Sequence, residues 1–386
     1  MITRLLVANR GEIARRVFRT CRELGIATVA VFTDPDAGAP HVAEADLAVR
    51  ITSYLEISEL LRACGVSGAD AVHPGYGFLS ENAGFAREVI AAGLTWVGPP
   101  PASIAAMGSK IEAKRLMAEA GVPVLEADGT YPVLVKASAG GGGRGMRIVR
   151  RAEDLDAELA SASREAEAAF GDGTVFVEPL LERARHVEVQ VLADRHGTVW
   201  TLGERECSIQ RRHQKVVEEC PSPGISAKIR NILLDAATRA AAKIGYVGAG
   251  TVEFLVRGDT VAFLEMNTRL QVEHPVTELV HGLDLVRLQL EVAEGAALGE
   301  PPEPQGHAVE VRLYAEDADY LPQTGVVHRF EIPGAVRVDS GVEAGSVVSP
   351  YYDAMLAKVI AHGATRAEAI RKLADALARA RIHGLT

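Results

Sequence analysis

Short apolar runs alternate with amphipathic stretches over the first hundred residues. Leu5 to Ala8 and Thr28 to Phe32 are runs typical of buried strands, and the stretch from Glu12 to Leu24 between them has the apolar spacing of a helix. The same alternation continues to a glycine and proline run at residues 98–101. This strand-helix-strand order predicts a Rossmann-like parallel sheet in a first domain over residues 1–108.

The pattern changes after this boundary. A predicted helix leads into a small α+β unit over about residues 130–180, which contains a glycine run, and the segment that follows is rich in predicted strands. We bound this middle domain at 109–305. Further strands and a helix over about 366–380 predict a last domain, 306–386, with an antiparallel sheet. The expected fold class is therefore α/β in three parts.

Composition narrows the class of protein. The 41 basic and 51 acidic residues give a formal charge of −10, which disfavours binding of nucleic acid as the main task. The four cysteines lack C-x-x-C spacing, so we expect a reducing, cytoplasmic compartment. No apolar run approaches the length of a bilayer span, and we expect no membrane association.

Two apolar segments, 251–256 and 261–265, are joined by a short polar turn and predict a β-hairpin. If the turn centres on Asp259, Glu253 and Glu265 face each other across the strands. Opposed carboxylates are destabilising unless a cation lies between them, and Asn267 lies on the face of Glu265. The pattern predicts a site for Mg²⁺ or Mn²⁺, with a solvated hairpin face as the alternative.

Arg269, Gln271 and Glu273 alternate directly after this hairpin. An extended backbone would direct all three side chains to one side. The guanidinium and the amide could then hold a small planar anion while the carboxylate acts as a base. By itself this spacing also fits an ordinary polar strand face.

A glycine-rich segment runs from Lys136 to Met146 between two predicted strands. It therefore differs from a Walker or Rossmann loop, which joins a strand to a helix. Consecutive glycines allow close backbone approach to phosphates and suit a lid over a nucleotide, although a flexible hairpin tip is the alternative. These glycines are Gly140, Gly141, Gly142 and Gly143.

Two further polar patterns are candidates for a site. The segment 186–191 alternates three polar residues with three valines, so one face of this strand is expected to border something polar. The segment 207–215 is rich in basic residues and would attract an anion, although a solvated loop explains it equally well.

Five segments together resemble the biotin carboxylase family of the ATP-grasp superfamily, over nearly the whole chain. They are residues 7–14, 73–82, 136–146, 206–219 and 265–278. The resemblance implies the three-part ATP-grasp architecture and a two-step reaction. ATP phosphorylates bicarbonate to carboxyphosphate, and the carboxyl group then passes to N1 of biotin carried on a protein lysine.

The resemblance also assigns residues by position. Lys110 and Lys136 match the nucleotide lysines, with the glycine run over the phosphates, and Glu178 and Leu181 match the adenine-contacting linker. The other matches fall on four sets: Mg²⁺ at Glu253, Glu265 and Asn267; bicarbonate at Lys215, Arg269, Gln271 and Val272; nucleotide or biotin at His186, Gln210 and His213; and catalysis by Glu273 as the base and Arg337 as the arginine that stabilises the biotin enolate.

The resemblance further implies partners. The sequence holds no Ala-Met-Lys-Met biotinylation motif, so biotin is expected on a biotin carboxyl carrier protein or domain, with a carboxyltransferase subunit acting next. A homodimer or larger assembly is expected, and the last domain is shorter than in the family. The alternatives are another ATP-grasp ligase, or a scaffold subunit, which would need neither the magnesium glutamates nor the base.

Overall fold

The structure is a computed structural model that describes residues 1–126, 129–138 and 146–385, and the side chain of Phe170 is not described. The predicted glycine run, Gly140 to Gly143, lies outside the described residues. Within those residues, no helix has both the length and the apolar character needed to cross a bilayer.

The first sheet is parallel, as its apolar runs predict. Its strands are β1 (Arg4–Val7), β2 (Ala27–Phe32), β3 (Leu47–Arg50), β4 (Ala71–His73) and β5 (Thr95–Trp96), in the order β3-β2-β1-β4-β5. The helices between them are α1 (Gly11–Leu24), α2 (Pro40–Glu44), α3 (Ile57–Ser67) and α4 (Ala83–Ala91), with one 3₁₀ turn at Asp34–Asp36. Apolar side chains cover both faces of this sheet, as expected of parallel strands linked by helices.

A small antiparallel sheet with one helix packed on it follows the first sheet. The elements are α5 (Pro101–Gly108), α6 (Lys110–Glu119), β6 (Val133–Ala137), β7 (Arg147–Val149), a 3₁₀ turn (Ala152–Asp154), α7 (Leu155–Phe170) and β8 (Val175–Pro179). The order of the strands is β7-β6-β8. Its core is a small apolar cluster that includes Val135 and Ala162.

The remaining strands form a large antiparallel sheet and a small one. They are β9 (Arg185–Ala193), β10 (Val199–Arg211), β11 (Gln214–Cys220), β12 (Gly248–Arg257), β13 (Thr260–Asn267), β14 (His307–Tyr314), β15 (Gly325–Glu331), β16 (Arg337–Ser340), β17 (Val347–Val348), β18 (Met355–Gly363) and β19 (Arg381–Leu385). The helices are α8 (Ala227–Lys243), α9 (His274–His281), α10 (Leu285–Ala293) and α11 (Arg366–Ala378).

The eight-stranded sheet runs in the order β13-β12-β9-β10-β11-β14-β18-β16, and β17-β15-β19 form the small sheet. Because β11 pairs directly with β14, the large sheet continues across the expected domain boundary near Gly306. Polar side chains from strands on both sides of that boundary therefore share one sheet, and this continuity builds the site.

Candidate active site

The predicted hairpin forms, and it opposes two carboxylates. β12 and β13 are antiparallel, and their register pairs Glu253 with Glu265 and Thr251 with Asn267. The segment 248–254 of β12 is buried, so the Glu253 carboxylate is buried together with its mostly apolar strand neighbours. The sequence prediction of two facing glutamates is therefore confirmed.

Glu253 collects hydrogen-bond donors from four directions. Its Oε1 accepts from Lys215 Nζ, Asn267 Nδ2 and Gln271 Nε2, each at 2.8 Å, and its Oε2 lies 2.5 Å from His186 Nε2. Burial would raise the pKa of Glu253, but Lys215 and His186 outweigh it and hold that pKa far below its usual range. Glu253 is therefore an ionised carboxylate.

Glu265 has the opposite electrostatic environment. Burial and the neighbouring charge of Glu253 raise its pKa, while Lys110 opposes this rise. A carboxylate whose charge is disfavoured by an opposed carboxylate is stabilised by a cation placed between the two. The oxygen donors of Glu253, Glu265 and Asn267 thus fit a hard divalent ion such as Mg²⁺.

Lys215 is brought into this cluster by a tight turn. Arg212 and His213 both have positive φ, 49° and 66°, and form the two-residue connection between β10 and β11, as in a type I′ hairpin. The turn leaves Lys215 paired with Gln210 on the neighbouring strand, and Gln210 Nε2 lies 2.8 Å from His186 Nδ1.

Three carboxylates converge on the Lys215 ammonium group. Lys215 Nζ donates to Glu188 at 2.5 Å, to Glu253 at 2.8 Å and to Glu273 at 2.7 Å. Burial disfavours the charge, yet the three glutamates raise the pKa of Lys215 well above its usual value. The lysine is therefore a permanent cation at the centre of the site.

Glu188 was not assigned a role from the sequence. It is fully buried, and besides Lys215 it accepts a hydrogen bond from Arg205 Nε at 2.6 Å. The alternation of polar residues and valines in β9 was the available signal, because Glu188 shares the polar face of that strand with His186. The pattern indicated which face of β9 is polar, whereas only the tertiary packing identifies the buried ion pair between Glu188 and Arg205.

Arg269 and Gln271 also reach the cluster, although the backbone predicted for them is wrong. Residues 268–273 form bends and a turn before α9, with no strand hydrogen bonding. Arg269 donates from Nη1 to Gln271 Oε1 and from Nη2 to Asn267 Oδ1, both at 3.0 Å. Its Nε donates at 2.9 Å to Glu81, which follows the glycine-rich turn after β4.

Glu273 is held by two cations. It is fully buried, and Arg312 on β14 donates to it from Nη2 at 3.0 Å, in addition to Lys215. Burial alone would raise the pKa of Glu273, but Lys215, Arg312 and Arg205 lower it well below its usual range. Arg312 was missed by sequence reasoning.

The arginine that the resemblance assigned to catalysis is bound to two carboxylates outside the main cluster. Arg337 lies on β16, the edge strand of the large sheet, and its guanidinium donates to Glu278 and to Asp339, each at 2.7 Å. It does not border the cavity described below, whereas Arg312 does. Both arginines stand between apolar residues in similar strand sequences, so position along the chain did not distinguish them.

A second cluster gathers the predicted nucleotide lysines. Lys136 Nζ on β6 donates to Glu178 on the neighbouring strand β8 at 2.6 Å. The backbone N–H of Lys110 donates to the Ser138 carbonyl at 3.1 Å. Burial lowers the pKa of Lys110, while Glu265 and Glu178 oppose that effect. Lys110 therefore lies electrostatically between the two clusters, and Leu181 follows β8 as a half-buried residue.

A cavity of about 1000 Å³ joins the main cluster to the surface. Residues from the first sheet's loops, the large sheet and the last strands all border it. The predicted residues among them are His186, His213, Lys215, Glu253, Glu265, Asn267, Arg269, Gln271 and Val272. Its size suits an organic ligand as well as small anions.

Three protein-family profiles match successive parts of the chain. The N-terminal domain of biotin carboxylase matches residues 1–104, the ATP-binding domain of the carbamoyl-phosphate synthase L chain matches residues 106–301, and the C-terminal domain of biotin carboxylase matches residues 310–386. The biotin carboxylase of Haemophilus influenzae is 47% identical over 414 residues, which cover 100% of this chain and 92% of that protein.

The chain belongs to the biotin carboxylase family. The predicted family, its ATP-grasp fold and the class of ATP-dependent carboxylase ligase are thereby confirmed. The α subunit of rice mitochondrial methylcrotonoyl-CoA carboxylase is 49% identical over all of this chain. The chain spans 56% of the length of that subunit.

The fold of this chain also matches that of a solved biotin carboxylase domain. It is the biotin carboxylase domain dimer of Hydrogenobacter thermophilus 2-oxoglutarate carboxylase, in complex with MgADP, ADP and bicarbonate. The TM-score is 0.95 at 41% identity, and the match covers 100% of this chain and 92% of that one.

Proposed function

We propose that this chain carboxylates biotin on a carrier protein with ATP and bicarbonate, through carboxyphosphate, as the first half-reaction of a biotin-dependent acyl-CoA carboxylase. The observation that carries the proposal is the pair of cations Lys215 and Arg312, which border a large cavity and bind the two oxygens of the buried Glu273. This arrangement combines a proton acceptor with two cations for anionic substrates.

Glu253, Glu265 and Asn267 would hold Mg²⁺ or Mn²⁺ together with the phosphates of ATP. When bound, the ion neutralises phosphate charge and polarises the transferred phosphoryl group. Lys110 and Lys136 would bind the phosphates, Glu178 and Leu181 would contact the adenine, and the glycine run, Gly140 to Gly143, would cover the nucleotide. The geometry of Lys136, Glu178 and Lys110 supports this assignment, and the glycines stay a prediction.

Bicarbonate would bind to Lys215, Arg269, Gln271 and the backbone beside Val272. In the described structure Glu273 is buried, which would raise its pKa, but the charges of Lys215, Arg312 and Arg205 keep that pKa low. Once anionic substrates engage Lys215 and Arg312, that electrostatic stabilisation of the Glu273 charge weakens and the pKa of Glu273 rises. Glu273 then accepts the proton of bicarbonate. At the same time an oxygen of bicarbonate attacks the terminal phosphorus of ATP, and ADP leaves.

Arg312 takes the role that the sequence assigned to Arg337. It borders the cavity and donates to Glu273, so its guanidinium is positioned to bind the ureido oxygen of biotin as negative charge develops there. N1 of biotin gains the carboxyl group as the bond between that group and the phosphate of carboxyphosphate breaks, and the released phosphate takes up the N1 proton. His186, Gln210 and His213 would line the same space and orient biotin or nucleotide.

The partners follow from this chemistry and from the relatives' names. We propose a biotin carboxyl carrier protein or domain, a carboxyltransferase subunit for an acetyl-, propionyl- or methylcrotonyl-CoA type of substrate, and a homodimer or larger assembly. We retain the division into 1–108, 109–305 and 306–386. A cytoplasmic location is supported by four cysteines that are all buried and free.

The test is a carboxylation assay. The protein is incubated with ATP, Mg²⁺ and labelled bicarbonate, with free biotin or with candidate biotinylated carrier domains. We expect label on one carrier and ATP cleavage that biotin stimulates. Bicarbonate-dependent ATP cleavage that biotin leaves unchanged would favour another ATP-grasp ligase, and absence of ATP cleavage with intact carrier binding would favour a scaffold.

A further inference from the structure

A second pair of glutamates faces each other in the large sheet, outside the metal cluster. The register of β11 and β14 pairs Glu218 with Glu310, and both side chains are fully buried. Directly opposed carboxylates repel each other when both are charged. Because neither glutamate borders the cavity of the active site, a cation has no access to the pair from that cavity.

The hydrogen bonds of the two side chains are incomplete. Glu218 Oε1 accepts from Arg312 Nε at 2.7 Å. Glu218 Oε2 and both oxygens of Glu310 are buried without a hydrogen-bond partner in the part of the chain that the structure describes. Ionised carboxylates only accept hydrogen bonds, whereas a protonated carboxyl also donates one. A proton on this pair therefore removes a charge and turns one carboxyl into a hydrogen-bond donor.

The charged groups around Glu310 do not neutralise it. Lys358, on β18, is the cation that most lowers the pKa of Glu310. The Nζ of Lys358, however, donates to the Val272 carbonyl at 2.6 Å and lies 3.3 Å from Glu12. Arg312, on the same strand as Glu310, is bound to Glu218 and to Glu273, and Tyr76 also faces the pair.

His274, on the helix α9 that packs against β14, is neutral. Burial lowers the pKa of His274 well below its usual value, and the nearby cations lower it further. Burial raises the pKa of Glu310 well above its ordinary range and that of Glu218 to about 7, with Lys358 and Arg312 opposing these shifts. Glu310 is thus the member that retains a proton.

We propose that the Glu218–Glu310 pair holds one proton at neutral pH and that Glu310 is thereby a positioning residue for Arg312. With Glu310 neutral, Glu218 carries a single charge that fixes Arg312 Nε, and Arg312 Nη2 remains directed at Glu273. A second ionisation would draw the guanidinium away from Glu273 and add negative potential where anionic substrates bind. The effect on turnover rests on the proposed function, whereas the proton itself does not.

The first test compares Glu310→Gln with Glu310→Ala. An amide resembles the neutral acid in size and hydrogen-bonding capacity, so we expect Glu310→Gln to keep most of the kcat at neutral pH and to extend activity to higher pH. Glu310→Ala should lower kcat at least about tenfold through misplacement of Arg312. The matched control is Glu219→Gln, on the opposite face of β11, which should leave the pH profile unchanged.

A second test reads the proton without any activity. Infrared spectra of the full chain at neutral pH should contain a protonated-carboxyl band that is lost in Glu310→Gln and kept in Glu219→Gln. In wild-type protein with ¹³C-labelled glutamate side chains, nuclear magnetic resonance should show a carboxyl that is still protonated near pH 7. If biotin carboxylation is absent but the band is present, the proposed function fails while the proton assignment stands.

Two results would overturn the proposal. One is an infrared spectrum without the band, together with ionisation of every glutamate below pH 7 in the wild-type protein. The other is a Glu310→Gln variant that unfolds, or loses kcat as Glu310→Ala does, at neutral pH, because a neutral acid should tolerate replacement by a neutral amide.

Discussion

Two cross-strand glutamate pairs in one sheet solve the same electrostatic problem differently. Glu253 and Glu265 border the cavity, so a metal ion can reach them from it. Glu218 and Glu310 are packed between strands, away from the cavity. The first pair therefore suits a divalent cation and the second suits a proton. The difference is that only the first pair is accessible from the cavity.

The largest expected effect is at the residue between these pairs. Glu273→Gln should lower biotin carboxylation about 10²- to 10⁴-fold, because the proton acceptor is removed while the shape remains. Nucleotide binding should persist, as measured by fluorescence titration with ADP. Near-normal turnover in this variant would contradict the assigned base.

The two arginines provide a matched pair of substitutions. Arg312→Lys should lower kcat roughly 10²-fold, since a compact ammonium cannot bind Glu218 and Glu273 together as the guanidinium does. Arg337→Lys should instead lower the melting temperature, because Glu278 and Asp339 lose donors. Equal kcat values for the two variants, measured on folded protein, would restore Arg337 as a candidate.

Magnesium dependence separates the two glutamate pairs directly. Glu265→Gln should raise the Mg²⁺ concentration required for half-maximal ATP cleavage by at least about tenfold, because a hard oxygen ligand loses its charge. Glu310→Gln should leave that concentration unchanged. A similar rise in both variants would mean that the pairs do not differ in metal binding.

The smallest effects are on stability at the two ends of the pH range. Glu273 has a lowered pKa in the folded protein, so its contribution is present above the unfolded value and is lost as pH falls below about 4.5. Glu310 has a raised pKa, so the folded state loses stability as pH rises above that same unfolded value.

Melting temperatures between about pH 3 and pH 9 test both signs. Relative to wild type, Glu273→Gln should flatten the acid limb and Glu310→Gln the alkaline limb, each by a few °C. Shifts on the same limb in the two variants would contradict the opposite charge states.

Most of the local structure could be predicted from the sequence alone. The α1 helix over Gly11–Leu24, the parallel first sheet and the β12–β13 hairpin follow from periodicity and turn chemistry, which act between near neighbours. A bulge between Glu253 and Phe254 then sets the register that places Glu253 opposite Glu265. The resemblance to biotin carboxylases added the site residues that lie within recognisable motifs.

Other features needed the tertiary structure. The convergence of Arg269, Gln271 and Glu273 was predicted through a strand, but a turn before α9 achieves it. The contact of Arg312 with Glu273 could not be predicted by pattern, because Arg312 and Arg337 each stand between apolar residues on a strand. Only the pairing of β11 with β14 brings Arg312 to Glu273.

The sequence by itself therefore determined the family, the elements and the chemical types gathered at the site. The tertiary structure decided which carboxylates meet a cavity and which meet each other in the core. Strand pairing joins residues about ninety positions apart, such as Glu218 and Glu310, and burial then sets whether a metal ion or a proton balances their charge.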